Sequence, residues 1–283
     1  MDSKYTFLPQ SEFPTDLHRL LFGNAATRNR TSSRLVASLT FPTELINEPS
    51  YPSLLKRVSE TTALSTGARW ESAIRELLTA QLDEQALTGL ILIDKGRQNI
   101  ATGLAIVGGT AVVEVTGDAI VIAVGQATIT ARGDAQVFAS DKVKLNAHDG
   151  VRFYADGNVE VNTYGRVRGR AVGFANGNAR GESVVILAGN ARFDAYHGAY
   201  LYGEEDARMR CFGNSQARIR TRAFAQLFDG SAGWFEGESS GEVAGRARAN
   251  VKEPARVKLT GPEARIVPVE YGKPLTTRDW PNW

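Results

Sequence analysis

The charged side chains of this 283-residue chain cluster at two places where chemistry could occur. Glu204, Glu205 and Asp206 are consecutive, and Asp194 stands among Arg192, Arg208 and Arg210. Carboxylates beside basic groups are what polysaccharide-cleaving enzymes use as general acids and bases. Here the run 204–206 reads as a solvated turn, and three arginines near Asp194 favour a structural ion network over a proton donor. His18, His148 and His197 lack metal-ligand spacing, and the single cysteine, Cys211, adds no cluster and forms no internal disulfide. No Ser-His-Asp set, phosphate loop or dinucleotide fingerprint occurs. The residues thus point to no catalytic constellation, metal or cofactor, and they disfavour an enzyme.

The elements that carry these residues are set by a repeat. From Gly109 to Thr260 the chain recurs every eight residues, nineteen times, without insertion or deletion. Each octad opens with a turn residue, usually Gly or Asp, and places small or branched apolar residues third, fifth and seventh. A period this short, with alternation of two inside it, predicts short strands wound in a coil. Large residues fall fifth and Ala seventh in early octads (Leu145 with Ala147, Phe153 with Ala155). Late octads invert this (Ala217 with Ile219, Ala225 with Leu227). A narrow core of constant section requires such trading. Val167, Gly169, Ala171, Ala175, Gly177 and Ala179 form a waist with little side-chain volume, and Phe174 is expected to fold in and fill it.

Stacking residues sixteen apart sets the size of the coil. Two octads per coil bring Asn146, Asn162, Asn178 and Asp194 into one column at the sixth place. They bring His148, Tyr164, Arg180, Tyr196, Phe212 and Phe228 into another at the eighth. Amide ladders and stacked rings stabilise such columns. The expected fold is mainly β: a flat, two-sided β-solenoid of sixteen residues per coil over 101–260. A small α-containing N-terminal capping region spans 1–100, and an extended tail spans 261–283. Trp70, Ile74, Leu77, Leu78 and Leu82 share one face of a predicted helix beginning near Ser65, and a shorter helix is expected near 51–60.

The octad Gly189-Asn-Ala-Arg-Phe-Asp-Ala-Tyr shows the motif at its cleanest, and it resembles the bacterial octapeptide-repeat solenoid proteins. Members of that group often come from phage-like or toxin-associated settings. The resemblance covers 101–260 and implies architecture; it carries no catalytic motif. The octads lack the Gly-Gly-x-Gly-x-Asp of calcium-binding nonapeptides, so calcium-dependent folding is not implied.

The two outer faces differ in chemistry. One carries the Asn and aromatic columns; His148, Tyr164, Tyr196, Phe212 and Phe228 form a candidate sugar-stacking track. On the other, the sixth-place column reads Ile122, Phe138, Tyr154, Arg170, Ile186, Tyr202, Arg218, Trp234, flanked by fourth-place Arg152, Arg168 and Tyr200. Large apolar and Arg/Tyr/Trp residues at outward places mark either a surface covered by the chain's own helix or tail, or a binding face. The expected function is a non-enzymatic scaffold or protein-binding solenoid, phage- or toxin-linked, that presents this face to a protein partner or to itself. A carbohydrate-binding or carbohydrate-cleaving β-helix is the alternative, and an inhibitor or immunity protein a second. Nucleic acid is disfavoured, because 33 basic and 31 acidic residues leave a net charge of +2. No apolar run is long enough for a membrane span and no Sec signal opens the chain, so a cytoplasmic location or export by a non-Sec route is expected.

Overall fold

The structure, a computed structural model, describes residues 50–64, 67–79 and 89–267. His18, Leu82, the first 49 residues and the tail beyond Val267 lie outside them. Among the described residues, helices α1 (Ser50–Leu64) and α2 (Ala68–Thr79) precede twenty-three strands, from β1 (Ile91–Ile93) to β23 (Arg265–Val267). Pro52 falls in the first turn of α1, where a missing amide hydrogen costs nothing. In α2 the 3.6 period buries Trp70, Ile74 and Leu78 on one face, as the sequence predicts.

Odd-numbered strands form one twelve-stranded sheet and even-numbered strands an eleven-stranded sheet, all pairs being parallel. Successive strands alternate between the sheets, which makes the chain a β-solenoid of about sixteen residues per coil. The register fixes that number: Glu160 pairs with Asn176, Arg152 with Arg168 and Val121 with Val137. Coiling begins ahead of the clean octads, where Ile91 pairs with Ala105 and Arg97 with Val112. It also continues past the last one. Arg248 pairs with Arg265, so one extra residue after Thr260 is absorbed without breaking the sheet.

Each coil turns its corners at the octads' first residues, which from Gly109 to Gly245 adopt the left-handed conformation, as Gly117 does with φ 64°. Where glycine is absent, Asp141, Asp149, His197, Glu205, Thr221 and Asp229 take its place at φ between 53° and 63°. Short polar side chains tolerate that region by bonding locally. The Asp141 carboxylate accepts the Gly125 N–H at 2.9 Å, and Glu205 accepts the Gly189 N–H at 2.7 Å. At these two corners a side chain ties the coil to the one before it.

The interior is a thin apolar column along the rod, closed to solvent at the third, fifth and seventh places of most octads and opening at the last, where Ala255 and Val257 are half-buried and Leu259 is exposed. Its waist is filled differently from the sequence expectation. Phe174 sits at a corner and is 62% exposed. The space beside Gly169 is taken by the Phe153 ring, which a Cβ there would meet at 2.1 Å. Periodicity shows which residues point inward, but not that a ring leans along the axis into the next coil. The same trade recurs at Gly203 against Met209 and at Gly241 against Phe235. Cys211 belongs to this core, where burial pushes its thiol up to about 12 against the opposing Ser215 hydroxyl, so it stays protonated and inert.

Candidate functional site on the outer face of the twelve-stranded sheet

The sixth octad places of the odd strands stack into one column on the outer face of their sheet. Register pairs Ile106 with Ile122, Ile122 with Phe138, Phe138 with Tyr154, and Tyr154 with Arg170. Arg170 pairs with Ile186, Ile186 with Tyr202, Tyr202 with Arg218, and Arg218 with Trp234. Arg152, Arg168 and Tyr200 stand two residues earlier on the same strands and so on the same face. All eleven residues singled out from the sequence therefore share one surface. From Ile122 to Trp234 it spans seven coils, or about 34 Å at the usual strand spacing.

The first third of this column is covered by the chain's own helices. Ile106, Ile122, Val124 and Phe138 pack with Leu55 and Val58 of α1 and with Trp70, Ile74 and Leu78 of α2 in a second apolar core, separate from the rod's interior. Tyr154 and Ile186 pack against the margin of that core, half-buried. Two carboxylates at corners of the coil hold the helices in place. Asp141 accepts the Ser59 hydroxyl with both oxygens, at 2.7 and 2.8 Å, and Asp94 accepts the Gly67 N–H at 3.0 Å. The Trp70 indole donates to Thr62 Oγ1 at 2.8 Å, which satisfies its polar edge inside the apolar cluster.

Further along, the face becomes polar and networked. Arg218 donates to both oxygens of Glu236, at 2.8 and 3.0 Å, and the Arg220 guanidinium lies 3.1 Å from the same carboxylate. Arg220 also donates to the Tyr202 hydroxyl at 2.8 Å, and Tyr202 donates to Glu204 at 3.1 Å. Burial pushes the Tyr202 hydroxyl up to about 12, with the Arg220 bond opposing it, and burial raises Tyr200 as well. Both remain phenols at neutral pH, suited to hydrogen bonding rather than proton transfer. Arg220 and Glu236 were not singled out from the sequence, and Glu204 was singled out there only as part of the acidic run 204–206. Their signal is nevertheless there: Glu204, Arg220, Glu236 and Lys252 alternate in sign sixteen residues apart.

The opposite face is self-satisfied. Asn178 donates to Asn162 at 2.9 Å and Asn162 to Asn146 at 3.4 Å, forming the amide ladder. Asp194 is turned to Arg210, which grips it with two guanidinium nitrogens, and it accepts the Tyr196 hydroxyl at 3.4 Å. Beside this ladder His148 stacks on Tyr164 at 4.8 Å, Tyr196 on Phe212 at 5.0 Å and Phe212 on Phe228 at 5.0 Å. Arg180 fills the gap, its guanidinium 5.6 Å from the rings of both Tyr164 and Tyr196. Ring planes agree to within 14°, so the rings turn their faces to one another along the axis. A sugar needs an open ring face, which this ladder uses up internally.

His148 gives the ladder a pH dependence. Burial disfavours its charged form, Arg132 in the same column adds repulsion, and Asp149 opposes both, leaving its pKa below the ordinary 6.5. The unfolded chain therefore takes up the proton first. This contribution to stability is intact above that ordinary value and is lost as the pH falls through the lowered one. Replacing His148 by Phe keeps the stack and removes the titration. Melting curves at about pH 7.5 and about pH 5 are expected to lie closer together for His148→Phe than for the wild type. Equal separations would contradict the assignment.

The acidic run at 204–206 does not converge on a site. Glu204 accepts from Tyr202, Glu205 from the Gly189 amide, and Asp206 pairs with Arg222, whose hydrogen bonds hold its carboxyl below the ordinary value. Among the described residues, no three His, Cys, Asp or Glu side chains gather as a metal site would require. No described helix is long and apolar enough to cross a membrane. Comparison with protein-family models, with curated proteins and with solved structures finds no match, so the chain's likeness to octapeptide-repeat solenoids rests on the octads themselves.

Proposed function

We propose that this chain is a non-enzymatic binding rod whose working surface is the Tyr154–Trp234 part of the odd-sheet face. The observation that carries this reading is the seating of α1 and α2 on Ile106, Ile122 and Phe138. The column already holds two helices at one end, and it continues for about 24 Å beyond Phe138's neighbour Tyr154 with Tyr, Arg, Ile and Trp, the residues on which binding energy concentrates. A rigid, solenoid-borne face of this kind suits a protein partner or a second copy of the chain. A setting among phage- or toxin-linked systems, as an inhibitor or immunity protein or as a scaffold, belongs to the same proposal and is supported by the octad resemblance alone.

The test is the double variant Tyr154→Ser/Tyr202→Ser, with circular dichroism to establish that the coil survives. A change in solution mass by light scattering, or loss of co-purifying protein, is expected. If both stay as in the wild type, the face is not the working surface. The carbohydrate reading is the weaker one, because the ladder rings face one another; glycan binding abolished by Tyr196→Ala would reinstate it.

A further inference from the structure

We propose that the open end of the rod, at its last coil, takes an added β-strand from another protein: an extended acidic segment in which carboxylates alternate with apolar residues. The last strand of the eleven-stranded sheet, β22 (Arg256–Thr260), pairs with β20 (Ser240–Ala244) on one side and with no described strand on the other. The Arg256 N–H is spent on the Ser239 carbonyl at 2.9 Å. Backbone groups alternate sides along a strand, so the N–H and C=O of Val257 and Leu259 point to the open edge. The core is open at the same place. Leu259 continues the inward column of Val243, which is fully buried, yet is itself 42% exposed. In the other sheet Ile266 continues the inward column of the buried Ala249 and is 44% exposed. The first coil differs, because its inward Ile93 and Ile100 are buried. A free backbone edge beside uncovered apolar side chains is the combination that strand addition uses.

Charge selects the occupant. Arg256 and Lys258 take the outward places of β22, and Arg265 an outward place of β23. Their neighbours in register do not neutralise them. Arg256 has Ser240 behind it and Arg265 has Arg248, while Glu242, behind Lys258, already accepts from Gln226 at 2.9 Å. A strand laid along β22 with apolar residues inward covers Val257, Leu259 and Ile266. Its outward residues then stand beside Arg256 and Lys258, where carboxylates form favourable cross-strand pairs. A second copy matches less well, because the antiparallel register that overlaps the whole of β22 with itself sets Lys258 opposite Lys258. Residues 268–283 match less well too. Glu270 and Asp279 are balanced there by Lys273 and Arg278, and Pro268, Pro274 and Pro281 lack the N–H that a ladder needs.

Fluorescence anisotropy with the full chain tests this, using labelled peptides in which Glu alternates with Val, Lys alternates with Val, or the Glu and Val residues are gathered into separate blocks. The alternating Glu peptide is expected to bind, the Lys peptide to bind about tenfold more weakly or worse, and the block peptide not to bind. Arg256→Glu/Lys258→Glu, with circular dichroism to check the coil, is expected to reverse the preference between the first two. Hydrogen exchange is expected to find the Val257 and Leu259 amides open in the free chain and protected by the Glu peptide; this and the peptide comparison need no variant. Failure of all three peptides to bind, equal binding of the Glu and Lys peptides, or protection gained elsewhere would each overturn the inference. So would Val257 and Leu259 amides already protected in the free chain. With the solution mass of one chain, the chain itself then fills the edge; with that of two, a second copy does.

Discussion

Gly177→Ala is expected to cost about 3 kcal/mol or more, at or above the upper end for overpacked cores. Gly177 pairs with Val161 in the adjacent coil, and a Cβ on it would lie 1.7 Å from the Val161 carbonyl oxygen and 2.7 Å from its carbon. Those are backbone atoms held in the parallel ladder, so no side chain can swing away. Relief requires the strands Glu160–Tyr164 and Asn176–Arg180 to separate, which leaves these coils joined only through the other sheet. Gly213→Ala is the control. Its φ is 64° but nothing lies within 4 Å of the added methyl, so only left-handed strain of about 1–2 kcal/mol applies. Urea titrations of the two variants should differ clearly. If Gly177→Ala loses no more stability than Gly213→Ala, the tight stacking at the waist is wrong.

The second large effect is expected at Trp70. It is 2% exposed, caps the apolar cluster over Ile106, Ile122 and Phe138, and anchors α1 through Thr62. Trp70→Ala removes about 3–5 kcal/mol of packing. Because the helical cluster is separate from the rod's interior, the loss falls on α1 and α2 and not on the coil. Hydrogen exchange should therefore quicken across 50–79 while the strands keep their protection. The uncovered Ile106–Phe138 patch should also bind a hydrophobic dye. Uniform loss of protection along the rod would show that helices and coil form one cooperative unit.

How much of this was legible in the sequence follows from where the period holds. Within the octads each residue's surroundings recur every sixteen positions, so the Asn146–Asn162–Asn178 bonds and the Tyr196–Phe212–Phe228 stack could be read as columns. The trading of volume between fifth and seventh places was legible for the same reason. The contact of Ser59 with Asp141 spans 82 residues and belongs to no period, so nothing in the sequence signalled where α1 would sit. The helical face of α2 and the apolar column from Ile122 were both visible, and cover by the chain's own helix was one of two readings of that column, but nothing in the sequence chose between them. Lean along the axis was also hidden, which is why Phe153 and not Phe174 fills the waist.

The two outer faces give the sharpest contrast. One consumes its amides and ring faces internally, and the other continues a surface that already holds helices. The most direct measurement sets Tyr202→Ser/Trp234→Ser beside Tyr196→Ser/Phe212→Ser in the full chain, both confirmed as folded, and compares solution mass and co-purifying protein by light scattering and affinity capture. The first pair is expected to change association and the second to leave it as in the wild type. Association lost only with the second pair would place the working surface on the ladder and contradict the account.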